Sequence, residues 1–306
     1  MKFLFLLLAF ICNSLFSQQT EYHIINTSIN SEFAEFGVTY LKNNRVLFAS
    51  SKKINRDDSN KKVRRQNNRQ LFLELYKGFI TEEGDIIEPE KFTNESTNMF
   101  YESDIAFTSD FKTVYFTWNN FYDPGTHKDS KKLKPLYLFK ASIDQNFHLS
   151  NITPLPFNNK AYSLRNPELS YDDKKLYFVS DMPNGYGELD IYVVDIYSDG
   201  GFSLPRNLGP NINTKNSEMF PHSSQKDILY FSSNGYKKKG DFDIMKSQYR
   251  DGSFQNSIKL PSPFNGIYDD FSFVFNPESN SGFFSSTRAG SNGDADIFGF
   301  TPKIKD

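Results

Sequence analysis

The sequence predicts an all-β fold: a five-bladed β-propeller of four-stranded antiparallel blades, the last blade closed by the N-terminal strand. Three observations carry this prediction. A Gly-x-x-Asp-Ile stretch ending in a large apolar residue recurs at 187–192, 240–245 and 293–298, which sets Asp190, Asp243 and Asp296 at intervals of 53. A fixed period of that size marks a propeller, a solenoid or an array. Twelve residues before each aspartate a phenylalanine stands in an apolar run: Phe178, Phe231 and Phe284. Finally, Asp199-Gly200 and Asp251-Gly252 lie between apolar runs, where glycine supplies the positive φ of a hairpin turn at no steric cost.

Taken in order, residues 22–26 form one short strand followed by a polar turn. The first unit alternates over 36–40, turns at Asn43-Asn44, and carries its aromatic strand at 45–51 around Phe48; a polar insert, 52–70, separates this from the next strand, 71–76. In the second unit the strands are 104–107, 114–118 around Phe116, and 136–139, with an insert at 119–134. The third has 166–170, 176–180 and 190–194; the fourth has 219–223, 228–232 and 243–246; the fifth has 271–275, 283–286 and 296–300. Short fourth strands are expected near 207–209 and 259–261. Phe48, Phe116, Phe178, Phe231 and Phe284 are spaced 68, 62, 53 and 53, the two excesses being the inserts. The units run 34–100, 101–161, 162–216, 217–267 and 268–306, the last completed by 20–30. A blade without its outer strand would expose an unpaired backbone ladder, which is the physical reason for closure by the N-terminal strand.

Composition agrees with a sheet protein: 17 Tyr and 32 Phe stand against one Trp, and aromatic residues favour pleated, half-buried surfaces. Met1-Lys2, an uncharged apolar run over 3–12, and small or polar residues up to Gln19 read as a secretory signal peptide cleaved after Ser17. Ile11 rather than a small residue precedes Cys12, which argues against lipidation. Losing the leader removes the only cysteine, so neither disulfides nor thiolate metal sites are expected. No later apolar run approaches 18 residues, so the expected product is exported, not membrane-spanning, and periplasmic, outer-membrane associated or secreted. A net charge of −2 gives no nucleic-acid footprint.

Pro167, Ser170, Asp172, Leu176, Tyr177, Phe178 and Ser180 in one unit, and Pro221, Leu229, Tyr230, Phe231, Ser232 and Ser233 in the next, carry a family likeness. With the Gly-x-x-Asp-Ile-aromatic stretch, the units over 34–300 resemble WD40-like β-propeller repeats of the TolB type. Such repeats also occur in envelope proteins of Bacteroidota, beside a C-terminal OmpA-like domain. The leader exit and the richness in Asn, Lys and Phe resemble that group, but no part of the sequence matches the OmpA-like domain, so the resemblance implies no anchoring role here.

Several residue groups are candidates for chemistry. Glu35, Glu102, Asp104, Glu168, Glu218, Asp269 and Asp270 recur at the starts of the inner strands. In a propeller these starts gather at one mouth of the channel, so the seven carboxylates read either as solvated turn residues or as an acidic ring able to hold a cation. Asp190, Asp243 and Asp296 read as backbone-capping groups rather than calcium ligands, because one copy per blade places them on separate sheets. Lys52, Lys53, Arg56, Lys61, Lys62, Arg64, Arg65 and Arg69 make the first insert strongly basic, either a solvated loop or a contact for an anionic surface. His23, His127, His148 and His222 lack metal-ligand spacing, and no nucleophile or phosphate motif is present. Trp118, with Phe121 and Tyr122, reads as a core cap rather than a sugar platform.

The expected function is a non-enzymatic module without cofactor that binds proteins of a cell-envelope assembly, with peptidoglycan or another glycan as a further partner. The alternative is a carbohydrate-binding or carbohydrate-active propeller, lyase or hydrolase, with its site at the acidic mouth.

Overall fold

Because successive side chains of a strand point to opposite faces, a blade whose second strand is apolar over consecutive positions must be covered on both sides. The computed structural model, which describes residues 20–51, 73–92, 105–118, 135–236 and 241–303, shows how this is met. A lone strand, β1 (Tyr22–Asn26), precedes the blades. The first blade is β2 (Glu35–Leu41), β3 (Arg45–Ser50), β4 (Glu74–Ile80) and β5 (Ile86–Lys91). The second is β6 (Ile105–Phe107), β7 (Thr113–Trp118), β8 (Tyr137–Ile143) and β9 (Leu149–Pro154), and the third β10 (Leu164–Leu169), β11 (Lys175–Ser180), β12 (Asp190–Asp195) and β13 (Arg206–Asn207). In the fourth, β14 (Glu218–Gln225), β15 (Ile228–Ser233) and β16 (Asp243–Arg250) are flanked by an outer position split between β17 (Ser253–Phe254) and β18 (Ile258–Lys259). The fifth has β19 (Asp270–Asn276), β20 (Ser281–Ser286) and β21 (Asp296–Pro302), and β1 is its fourth strand, paired antiparallel from Tyr22 against Pro302 to Asn26 against Phe298.

This is the five-bladed propeller, closed by the N-terminal strand, that the repeat predicts. The outer strands of the third and fourth blades sit one residue earlier than the sequence suggests. Among the described residues there is no helix.

The aromatic strands form the core. Leu47 and Ala49 face Val114 and Phe116 of the next blade, while Val46 and Phe48, on the opposite face of the same strand, meet Val274, Phe283 and Ile297 of the fifth blade. Tyr115 and Leu138 pack on Phe178 and Tyr192, Tyr177 and Val179 on Phe231 and Met245, and Tyr230 and Ile244 on Phe284 and Phe300. Every blade is therefore clasped by two neighbours, and the ring closes between the fifth and the first. Full burial of one such ring stabilises the fold by about 1.5–3 kcal/mol. Trp118 packs edge-on to Phe139 at 5.2 Å, in the role of a core cap.

The recurrent glycine is explained by close approach of backbone. A Cβ on Gly187 would strike the carbonyl oxygens of Thr214 and Asn216, and one on Gly293 the carbonyl of Phe33, so the loop leading into the following inner strand can lie directly on the stretch.

The inner strands surround the axis, and among the described residues four of them are bulged. Pairing slips between Phe36 and Thr39, Arg165 and Glu168, Met219 and His222, and Phe271 and Val274. At each slip one residue has positive φ: Gly37 (71°), Asn166 (49°), Phe220 (51°) and Ser272 (50°). A bulge re-aims the side chains around it, and here Asn166, Phe220 and Ser272 line the axial cavity.

Candidate functional site

The strand-leading acids are placed by their hydrogen bonds inside the blades. Glu35 accepts from the Ser31 amide (3.0 Å) and the Ser31 and Ser50 hydroxyls (2.7 and 2.6 Å). Glu218 repeats this with the Thr214 amide (2.8 Å), the Thr214 hydroxyl (2.7 Å) and the Ser233 hydroxyl (2.6 Å). Asp270 accepts from the Gly266 amide (2.7 Å), the Ser286 hydroxyl (2.6 Å) and the Arg288 guanidinium (2.7 Å). All three carboxylates are buried, and burial raises the pKa of Glu218 despite the hydroxyl and amide donors that oppose it. They cap the turn before the inner strand and tie it to the serine that ends the second strand.

An asparagine five residues earlier completes the device. Asn30, Asn213 and Asn265 each accept from the amide and donate to the carbonyl of Ile297, Ile191 and Ile244, at 2.7–3.0 Å. Asn158 does the same to Leu138 in the second blade. The spacing from this asparagine to its acid was the unread signal that the acids are structural.

The expected ring at the mouth is therefore corrected. Glu35, Glu218 and Asp270 point into their blades, and Asp269 is engaged by the Phe242 amide at 2.7 Å. Glu168 is not their equivalent, because Leu164 pairs with Ser180 where Glu35, Glu218 and Asp270 pair with Ser50, Ser233 and Ser286. Glu102, Asp104 and all eight basic residues from Lys52 to Arg69 lie outside the described residues. Asp190 accepts from the Tyr186 and Gly187 amides (2.5 and 3.0 Å), and Asp296 from those of Asn292 and Gly293 (2.7 and 3.2 Å). Asp243 pairs with Lys259 at 2.8 Å.

What the bulges bring to the axis is Glu168 and His222. They line a cavity of about 30 Å³ together with Asn166, Phe220 and Ser272. Glu168 Oε1 accepts from the Ser223 amide (2.9 Å) and lies 3.1 Å from His222 Nδ1. On its other side the His222 ring is held by the Phe275 backbone, whose amide lies 3.0 Å and whose carbonyl 3.3 Å from Nε2. Toward the leading ends of the inner strands stand the half-buried rings of Phe36, Phe220 and Phe271, with centroids 6.3 Å (Phe36 to Phe271) and 5.5 Å (Phe220 to Phe271) apart. Toward the trailing ends, beyond His222, opens a larger cleft of about 340 Å³ between the first, fourth and fifth blades.

No family model and no curated protein matches the sequence. Solved structures are similar in fold. An endo-arabinase from Bacteroides thetaiotaomicron overlays with a TM-score of 0.54 at 14% identity, over 92% of this chain and 98% of that one. A thermostable family-43 glycoside hydrolase does so with 0.50 at 14% identity, over 92% and 94%. TolB from Acinetobacter baumannii overlays with 0.38 at 11% identity; 85% of this chain is matched, but the chain spans only 52% of that protein. The expectation of a non-enzymatic scaffold is corrected by the first two: propellers of the same size, matched along nearly their whole length, are enzymes. At these identities, what is shared is the fold, a β-propeller.

Proposed function

We propose that this protein is a carbohydrate-active propeller that hydrolyses a glycosidic bond on its axis, with Glu168 as the carboxylate acting on the reacting water. The observation that carries the reading is the setting of Glu168. Among the described residues it is the acid that lines the axial cavity; its Oε1 is fixed by the Ser223 amide and His222, which leaves Oε2 for the reaction. A general base must lie within hydrogen-bond reach of its proton donor, and the cavity's volume of about 30 Å³ exceeds the about 10–15 Å³ that a water needs. The rings of Phe36, Phe220 and Phe271 supply apolar faces on which a sugar ring can rest beside it. Glycoside cleavage ordinarily uses two carboxylates, and Asp104, one residue ahead of β6, is the sequence candidate for the second. Support from shape comes from the endo-arabinase and the family-43 glycoside hydrolase, which perform carbohydrate chemistry on a propeller of this size. Export by the leader, to the periplasm, outer membrane or medium, belongs to the same proposal, with peptidoglycan or another polymeric glycan as the partner.

The test is reducing-end release from arabinan, xylan and peptidoglycan. Wild-type protein is expected to cleave at least one of them, and Glu168→Gln to lower the rate by about 100-fold or more with its thermal unfolding unchanged. Wild type without release on all three, or Glu168→Gln as active as wild type, would overturn the reading.

A further inference from the structure

The cleft at the trailing ends of the inner strands is separate from the face on which the Phe36, Phe220 and Phe271 rings stand, and its wall has a property that the axial reading does not use. Tyr40, near the end of β2, and Ser224, near the end of β14, both line it. Their hydroxyl oxygens are buried and have no hydrogen-bond partner among the described residues. Buried polar groups in folded proteins are nearly always paired, and an unpaired one calls for an explanation. Burial also pushes the Tyr40 phenol up from its ordinary pKa, so it stays protonated at neutral pH and can both donate and accept.

The rest of the wall narrows the class of partner. Asn43 and Asn44, whose positive φ values (62° and 52°) form the tight turn between β2 and β3, present amides from one side, and Asn276 another from the end of β19. Phe275 adds a ring, and among the described residues no Asp, Glu, Lys or Arg lines the cleft. His222 enters with its Nε2 held by the Phe275 amide at 3.0 Å. Hydroxyls and amides that donate and accept beside an aromatic ring, with no carboxylate, ammonium or guanidinium group among them, match a neutral polyhydroxylated ring better than an ion. A volume of about 340 Å³ lies at the lower end of the range of small-molecule sites.

We infer that this cleft is a second carbohydrate site, binding a neutral monosaccharide unit through Tyr40 and Ser224 on the side of the propeller opposite the aromatic rings. The inference rests on the carbohydrate reading for its ligand class, but on different residues. It is tested by ligand-observed NMR titration with methyl β-D-xylopyranoside, methyl α-L-arabinofuranoside and methyl β-D-glucopyranoside, with sodium acetate as the charged control. At least one glycoside is expected to bind wild type and acetate not to bind. Tyr40→Phe and Ser224→Ala are each expected to weaken binding about 5- to 10-fold, the scale of one lost hydrogen bond. Their thermal midpoints should hold or rise, because each removes a buried group without a partner in the free protein. A wild type that binds none of the three, variants that both bind as tightly as wild type, or a preference for acetate overturns the inference. Repeating the titration with Glu168→Gln separates the two sites. Retained glycoside binding without polysaccharide cleavage by wild type sinks only the axial reading, and cleavage without cleft binding sinks only this one.

Discussion

The fourth blade opens its inner strand on Glu218 and the third opens on Leu164, although both residues pair the same way with the serine that ends the second strand. In the fourth blade the carboxylate gathers an amide and two hydroxyls. In the third, the corresponding Ser180 hydroxyl donates instead to the Ser163 carbonyl at 2.7 Å, and the blade puts its glutamate four residues further on, where the bulge at Asn166 turns the chain to the axis. Two glutamates of similar sequence setting thus do opposite things. One is spent holding a turn to a strand, and the other has an oxygen to spare in a cavity. A buried acid with all its donors in place is evidence for architecture; an acid fixed through one oxygen is evidence for chemistry.

The fifth blade offers the largest test of that contrast, because its cap includes a cation. Arg288 binds Asp270, donates to the Pro263 and Phe264 carbonyls (3.0 and 2.9 Å), and lies 4.6 Å from the centre of the Phe284 ring. Arg288→Met would leave Asp270, which is 0% exposed, as an uncompensated buried charge, a change that typically costs about 3–5 kcal/mol. Urea unfolding should show a loss of that size, and Asp270→Asn in the same background should recover part of it. A loss below about 1 kcal/mol, the range of surface ion pairs, would mean that the cap is not what holds this turn.

How far the sequence revealed this division follows from what each feature leaves in it. The blades were legible because they depend on period: Phe178, Phe231 and Phe284 recur 53 residues apart in strands that pack between neighbouring sheets, and the turn glycines must sit where backbone crosses backbone. The closing strand was legible because an unpaired sheet edge has a cost that Tyr22–Asn26 could meet. The site was not, since it depends on register. Counting acids near strand starts put Glu168 with Glu35 and Glu218, whereas strand pairing puts Leu164 there, and only a bulge carries Glu168 to the axis. The cleft left no periodic trace at all. Tyr40 and Ser224 come from two different blades, and their common feature is a buried hydroxyl without a partner among the described residues, which only three-dimensional placement reveals.

A smaller effect is expected at Glu218, where it can be read through pH. Burial raises its folded pKa above the ordinary value near 4.5. A group with a raised folded pKa contributes stability that is fully present below the unfolded pKa and is lost as pH rises through the folded one. Glu218→Gln does not titrate, so the difference between the variant and wild type should move in the variant's favour from pH 4 to pH 7. At pH 4 the variant should be less stable by about 1–3 kcal/mol, the cost of disturbing buried acceptors. Urea midpoints at the two pH values measure both. A difference that moves against the variant would show that the three donors outweigh burial and that the carboxylate is ionised throughout.

The smallest effect belongs to Asp195, an acid on the rim of the third blade, and it marks the other end of the comparison. Its carboxylate meets the Arg206 guanidinium at 2.6 and 3.2 Å and the Lys175 ammonium at 2.6 Å. Those donors, Arg206 first, lower its pKa to about 2. The sign is opposite to that of Glu218: the stabilisation is present above about 3.8 and is lost as pH falls toward 2. Because the side chain is 31% exposed, solvent and salt screen the pair. Asp195→Asn should therefore shift the thermal midpoint at pH 7 by less than about 2 °C, and 0.5 M salt should shrink even that difference. A shift as large as that of Glu218→Gln would mean that rim ion pairs, and not the buried caps, hold the blades in register.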